Sequence, residues 1–292
     1  MLRYQQKMYK LFVVPAVVIT IVFLFIPIAN GVKMSFTNLD FIKNTDKFVG
    51  VANYVKIFSD TDFYSAIGRT IIYVVVVVFF NFLIGFGMAL VCSQEFWGNR
   101  MLRAIIILPM LLIPTAAAVL WRFLYNYDLG IINKVLSFFT LKSINWLGDP
   151  NLSLMSILIT DIWAWTPWMF LILFAGIEGL PKETLEAGVI DGATYGQLIR
   201  YVIIPMMRPI TRVAVSLKAI ETFRTFDYVW VMTRGGPGSS SDIMSTFVYN
   251  QAFKHLKYGY SAALSLVVLF IMVILAFVTL RNFILKQTET EI

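Results

Sequence analysis

From Leu11 to Val32 the chain carries no charged residue, and the same holds for Thr70 to Gln94, Ala104 to Trp121 and Tyr258 to Leu280. At about 1.5 Å of rise per residue, each run is close to the roughly 20 residues a helix needs to cross a hydrocarbon core about 30 Å thick. Another run, from Leu152 to Ile177, is interrupted only by Asp161, and one from Ile210 to Met232 mixes apolar with charged positions. The pattern predicts an all-α polytopic membrane protein, a single domain over residues 1–292, with transmembrane helices over approximately 11–32, 70–94, 104–124, 152–177, 210–232 and 258–281. Helices are expected because a spanning segment must satisfy its own backbone polar groups where no water can, and these runs are too long for barrel strands.

Composition supports a bilayer as the solvent. Hydrophobic residues make up 59% of the chain and charged residues 14%, about half the usual quarter. The first run is longer than the apolar core of a signal peptide and no small-x-small cleavage site follows, so it reads as an uncleaved anchor. Arg3, Lys7 and Lys10 before the first span, Arg100 and Arg103 between the second and third, and Arg281 and Lys286 after the sixth place both termini in the cytoplasm. The stretch from Lys33 to Arg69 opposes this, with five basic residues on what would be the outer side, balanced in part by Asp40, Asp46, Asp60 and Asp62. The net charge of +7 suits an anionic lipid surface, and no basic and aromatic stripe on a soluble domain indicates nucleic acid. One cysteine, Cys92, and one histidine, His255, supply neither a disulfide nor a metal site.

The pattern changes between the fourth and fifth runs. After Gly179-Leu180-Pro181, Lys182 to Val189 predicts a short helix with Glu183 and Glu186 near its start, where acids complement the helix dipole. Asp191-Gly192 signals a turn. Thr194 and Gln197 have capping-box spacing, and Gln197 to Ile204 predicts a second helix that Pro205 stops or kinks. This loop, approximately 181–209, would lie on the cytoplasmic side. Its small residues Ala187, Gly188, Gly192 and Ala193 suit docking against another protein; the alternative is a helix resting on lipid headgroups, against which stands the scarcity of Lys and of bulky apolar anchors between Glu183 and Gly192.

In the run from 210 to 232, Lys218, Glu221, Arg224 and Asp227 recur every third residue with alternating sign, which sets opposite charges side by side on a helix. Each would cost about 2.5–3.5 kcal/mol facing lipid at mid-membrane, so they are expected to face a protein interior or a watery cavity. Glu221, Arg224 and Asp227 are candidates to line a solute path. A ladder of pairs holding two subunits together is the alternative, and Lys218, nearer the inner end, favours the ladder. Asp161 with Trp163, Trp165 and Trp168 offers a second wall, since carboxylates and indoles suit solutes with hydroxyl rims and C–H faces; tryptophan also serves in interfaces and packing. Arg122 reads as an interface anchor.

The segment "EAGVIDGATYGQLIRYVIIPMMRP" (186–209) resembles the EAA loop of permease subunits of ATP-binding-cassette (ABC) importers, in its carbohydrate-uptake branch. Gly188 stands for the usual second alanine, and Val202 and Ile204 for the commoner Ile and Leu. "FVGVANYVKIF" (48–58), "RAIIILPMLLIPTAAAVLWRFLYNYDLGIIN" (103–133) and "RTFDYVWVMTRGGPGSSSDIMSTFVYNQAF" (224–253) are similar to six-span sugar permeases, and the GGP of Gly235, Gly236 and Pro237 to the first permease of such pairs. The resemblance implies a type I importer permease fold in a bacterial or archaeal cytoplasmic membrane, a second permease as heterodimer partner, an ABC ATPase dimer that uses ATP and Mg, and an extracytoplasmic solute-binding protein. It implies that Glu186, Ala187, Gly188, Asp191, Gly192 and Pro205 couple the chain to the ATPase and that Gly235, Gly236 and Pro237 face the binding protein. No GxxxxGK[ST] phosphate loop is present, so the chain is expected to bind no cofactor itself and to be no enzyme. The rivals are a membrane enzyme, which lacks here the clustered His, Asp or Glu of acid–base chemistry, and a transporter independent of ATP.

Overall fold

The computed structural model describes residues 13–15, 17–139 and 142–290, with side chains described to residue 278. The basic residues 3, 7 and 10 and the side chains of Arg281 and Lys286, on which the orientation partly rests, lie outside the described residues. Thirteen α-helices are described: α1 (Val13–Ser35), α2 (Ala52–Phe58), α3 (Thr61–Cys92), α4 (Asn99–Ile107), α5 (Pro114–Leu124), α6 (Ile131–Phe138), α7 (Ser153–Glu178), α8 (Lys182–Ile190), α9 (Tyr195–Leu198), α10 (Ile204–Phe223), α11 (Asp227–Met232), α12 (Met244–Tyr249) and α13 (Tyr258–Thr290). Among the described residues there is no strand beyond two isolated bridges, Thr37 with Phe48 and Asp40 with Thr45.

Among the described residues, four helices are long and apolar enough to cross a bilayer: α1, α3, α7 and the stretch Tyr258–Val278 of α13. The two remaining expected spans differ from a simple helix. The third is broken, Asn99–Leu111 meeting Pro114–Leu124 at 96°. Ile113 is extended, at φ −63° and ψ 143°, as the residue before a proline prefers. The fifth starts earlier than expected and ends earlier: α10 begins at Ile204, and the chain leaves the helix at Arg224 before α11 starts at Asp227. With Arg208, Arg212, Lys218 and Glu221, α10 has the length of a crossing without the apolarity.

The chain forms two compact units, residues 1–63 with 248–270 and residues 64–247 with 271–292. In the second, two apolar clusters surround α7. One joins Tyr73 and Val77 of α3, Ala117 and Ala118 of α5, Ile157 and Ala164 of α7, and Val229 and Met232 of α11. The other joins Ala89 and Cys92, Met169 to Leu173, and Met207 and Ala214 of α10. Two glycines lie where helices pack closely against α7: a Cβ on Gly85 would lie 3.0 Å from the Phe170 backbone nitrogen, and one on Gly176 would lie 2.7 Å from the end of the flexible Met207 side chain. Pro167 sits inside α7 without ending it. Arg103 donates to the Cys92 carbonyl (2.6 Å) and to Asn99 (3.1 Å), closing the turn from α3 to α4. Arg122, expected as an interface anchor, donates to the Val231 carbonyl at 3.2 Å and so ties α5 to α11.

In the first unit, Asn53 of "FVGVANYVKIF" is buried and donates to the carbonyls of Ser35 and Thr37, both at 2.8 Å, while the Tyr54 and Ser35 hydroxyls meet at 2.8 Å. Tyr260 donates to Asp60 at 2.7 Å.

Candidate functional site

Two places carry the residues singled out in the sequence. The first is a polar cluster among apolar helices of the second unit. Asp161 of α7 is fully buried and accepts a 2.7 Å hydrogen bond from the Tyr73 hydroxyl of α3. The Lys218 ammonium of α10 stands 3.7 Å from Asp161 and 3.3 Å from Glu221, and 4.5 Å from the centre of the Trp165 ring. Lys218 is itself only 1% exposed, whereas Glu221 is 33% exposed. The arrangement therefore grades from a sealed carboxylate to an accessible one across a single ammonium. Both Asp161 Oδ1 and the Thr222 hydroxyl are buried with no hydrogen-bond partner in the described residues. The Lys218 ammonium has three donors, of which the hydrogen bond to Glu221 uses one. Beside them, Ala164, Trp165 and Tyr228 face Met110 to Pro114 across a cavity of about 210 Å³.

The sequence-predicted residues sort differently from expectation. Lys218, read as a mere rung of a ladder, is the centre of the cluster. Arg224 and Asp227 do not continue a ladder: the helix ends between them, both are exposed, and neither forms an ion pair within 4 Å among the described residues. The reason is local, since Arg224 caps α10 and Thr225-Phe226 breaks the helical period on which the three-residue spacing depended. Trp163 and Trp165 are two residues apart and so point to different sides of α7. Trp163 packs on Trp121 with ring centres 5.5 Å apart and lines an apolar groove with Phe80, Ile84 and Met155, away from the charges. Tyr73 and Tyr228 carry no charge signal in an apolar run, and only the fold brings them near Asp161.

The second place is the bend after α7. Leu185 of α8 packs inward, while Glu186 and Ala187 face outward with Val189 and Ile190, the latter 85% exposed. Val189 and Ile190 are thus bulky apolar side chains at the surface of a segment expected to be poor in them. The helix ends in a Schellman turn: Gly192 N–H donates to Val189 O and Ala193 N–H to Gly188 O, both at 3.0 Å. Gly192 has φ +78°, which explains the glycine. Gly188 serves this chain's own packing, because a Cβ there would lie 2.6 Å from the Leu198 side chain. Thr194 and Gln197 form the expected capping box. Tyr195 donates to the Leu90 carbonyl at 3.0 Å, fastening the bend to the end of α3. Of the two expected effects of Pro205, stopping the helix does not occur: a π turn at Ile199–Ile203, a local change of helical register, precedes it and the chain remains helical to Phe223. The wider π turn is where a helix can take in a residue that has no N–H to give. Below α8, Ser93, Glu95, Arg103, Glu178, Lys182 and Glu186 border an open cavity of about 830 Å³.

The turn at Gly235, Gly236 and Pro237 is well bonded. Ser241 donates to the Gly236 carbonyl at 2.6 Å and meets the Thr233 hydroxyl at 2.7 Å. Gly235 is buried against Asp242, so of the three residues only Gly236 and Pro237 reach the surface, in part. No group of three or more His, Cys, Asp or Glu able to hold a metal is found among the described residues.

Residues 81–287 match the family of binding-protein-dependent transport system inner membrane components. The chain is 31% identical over 267 residues to the trehalose/maltose transport system permease protein MalF of Thermococcus litoralis, covering 91% of this chain and 90% of that one. It is 28% identical to the sulfoquinovosyl glycerol transport system permease protein SmoG of Agrobacterium fabrum, covering 88% and 84%. Its fold is similar to that of a chain of a bacterial ABC transporter involved in the import of the acidic polysaccharide alginate, with a TM-score of 0.84 at 20% identity over 95% of this chain and 96% of that one.

Proposed function

Because this chain belongs to the family of inner membrane components of binding-protein-dependent transport systems, and is a multi-pass membrane protein, we propose that it is one permease subunit of an ATP-driven importer for a sugar, oligosaccharide, polyol or glycerol-phosphate-type solute. The observation that carries the substrate class is the similarity along nine-tenths of the chain to a trehalose/maltose permease. The polar cluster supports it: the accessible Glu221 carboxylate accepts hydrogen bonds of the kind hydroxyls donate, with the Lys218–Asp161 pair behind it, and Trp165 and Tyr228 border a cavity nearby.

In this reading α8 and its bend dock into a separate ATPase dimer, which binds ATP and Mg and does the hydrolysis. Glu186, Ala187 and Asp191 form the contact surface with Val189 and Ile190. Gly188, Gly192 and Pro205 set its shape. A second, different permease completes the path, an extracytoplasmic binding protein delivers the solute near Gly236 and Pro237, and both termini are cytoplasmic. The fastening of the bend to α3 by Tyr195 favours a rigid lever over a helix floating on lipid headgroups. Affinity purification of the tagged chain from its native membrane, followed by uptake assays in liposomes, tests the proposal. An ATPase and a second permease are expected to copurify and ATP to be required; uptake by the isolated chain without ATP would overturn it.

A further inference from the structure

The outward side of α2 is apolar where a water-facing helix would be polar. Val51, at the N-terminal edge of α2, Val55 and Phe58 recur at steps of four and three, which places them on one face, and Phe48, in the bridge to Thr37 that precedes the helix, adds a further exposed ring. All four are more than half exposed, while Asn53 and Ile57 on the opposite face are buried. Phe36, 6.5 Å from Phe48 between ring centres, backs the stripe from within.

What such a face meets is set by where α2 is held. Asn53 donates to the carbonyls of Ser35 and Thr37, and Tyr54 bonds Ser35, so α2 is tied directly to the last residue of α1. The apolar side chains of α1 are themselves exposed, and α1 is one of the helices long and apolar enough to cross the bilayer. A helix clamped to the end of a crossing lies at the level of the headgroups, whichever side of the membrane that is. Lys43, Lys47 and Lys56 are exposed around the stripe, where their long stems can follow apolar surface while the ammonium groups stay in water.

We propose that Phe48, Val51, Val55 and Phe58 form an in-plane lipid contact, with α2 lying half sunk in the headgroup boundary beside α1. The contact is apolar in origin: Asp40, Asp46, Asp60 and Asp62 offset most of the positive charge of this segment, so zwitterionic lipid suffices for it. It also gives the lysines between residues 33 and 56 a role independent of membrane orientation.

The test uses the full chain in nanodiscs of phosphatidylethanolamine and phosphatidylglycerol. Val55→Cys and, separately, Asp46→Cys carry a spin label; both positions are exposed, so neither change disturbs packing, and Cys92 is buried beyond the reagent. Relaxation by oxygen, which concentrates in lipid, is compared with relaxation by a water-soluble nickel chelate. The label at 55 is expected to favour oxygen several-fold over the label at 46. Equal access of the nickel chelate to both positions would overturn the proposal. So would shielding at 55 that appears only when a solute-binding protein or a second permease is added, since the face would then belong to a protein partner.

Discussion

Replacing Lys218 by methionine isolates the buried pair. The substitution keeps most of the side chain's length and removes the charge, leaving Asp161 fully buried with the Tyr73 hydroxyl as its hydrogen-bond donor among the described residues. Breaking one side of a buried ion pair costs about 3–5 kcal/mol, because the remaining charge has lost both water and partner. At roughly 2–4 °C per kcal/mol for a chain of comparable size, the apparent melting temperature in detergent should fall on the order of 10 °C. The double variant Asp161→Asn, Lys218→Met removes both charges and should recover most of that loss, since exchanging a buried pair for neutral groups is often close to neutral. Fluorescence-detected size exclusion after heating reads both. A single Lys218→Met variant as stable as the parent would refute the burial of an ionised Asp161. The double variant then separates the two roles of the cluster: folded but transport-dead protein points to solute handling, whereas retained uptake reduces the pair to a clamp between α7 and α10.

Glu186→Ala, on the exposed face of α8, should leave the complex assembled and ATP hydrolysis running while uptake falls about tenfold or more, a coupling loss near 1.4 kcal/mol; paired hydrolysis and uptake assays on the same vesicles check it, and an unchanged ratio would remove Glu186 from the contact. Gly192→Ala meets no neighbouring atom, so its cost is that of φ +78° alone, about 1–2 kcal/mol, seen as a lower melting temperature and weaker coupling. Burial, then Lys257 and Lys254, hold His255 below its usual value of 6.5. Above that value both the folded and the unfolded chain are neutral there. As pH falls through it, the unfolded chain gains a proton that the folded one resists, and stability is lost. His255→Gln should therefore flatten the acid side of the stability profile below about pH 6.5 without altering the alkaline side.

The parts of this fold that were legible in the sequence are those governed by interactions a few residues apart. The capping box at Thr194 and Gln197 and the glycine turn at 192 came through because each is closed within one helical turn. The bend at Leu112 and Ile113 lay under a run whose hydrophobicity says nothing about direction; Pro109 and Pro114 were the only marks of it, and in a membrane helix prolines alone do not show how sharply the chain turns. The charges from 218 to 227 failed as a ladder for the complementary reason. A three-residue spacing has meaning only while the helix lasts, and the sequence "ETFRTFDY" contains no glycine or proline to announce that it stops.

Asp161 and Lys218 are 57 positions apart and their meeting depends on α7 and α10 packing closely enough for Gly176 to touch Met207 and Ile210. That contact is what turns three charges on two helices into one graded site, with Asp161 sealed, Lys218 shared and Glu221 open. Charge cost predicted that these residues would avoid lipid. Which of them would be hidden from water as well was decided by where the helix breaks. Lys218 and Thr222 lie on the last packed turns of α10 and are buried, whereas Arg224 and Asp227, one turn further on, flank the break and are exposed. Any solute reaching this wall therefore meets Glu221 first and the Lys218–Asp161 pair behind it, so an effect of Glu221 substitutions on uptake that is absent for Arg224 and Asp227 is the ordering this geometry requires.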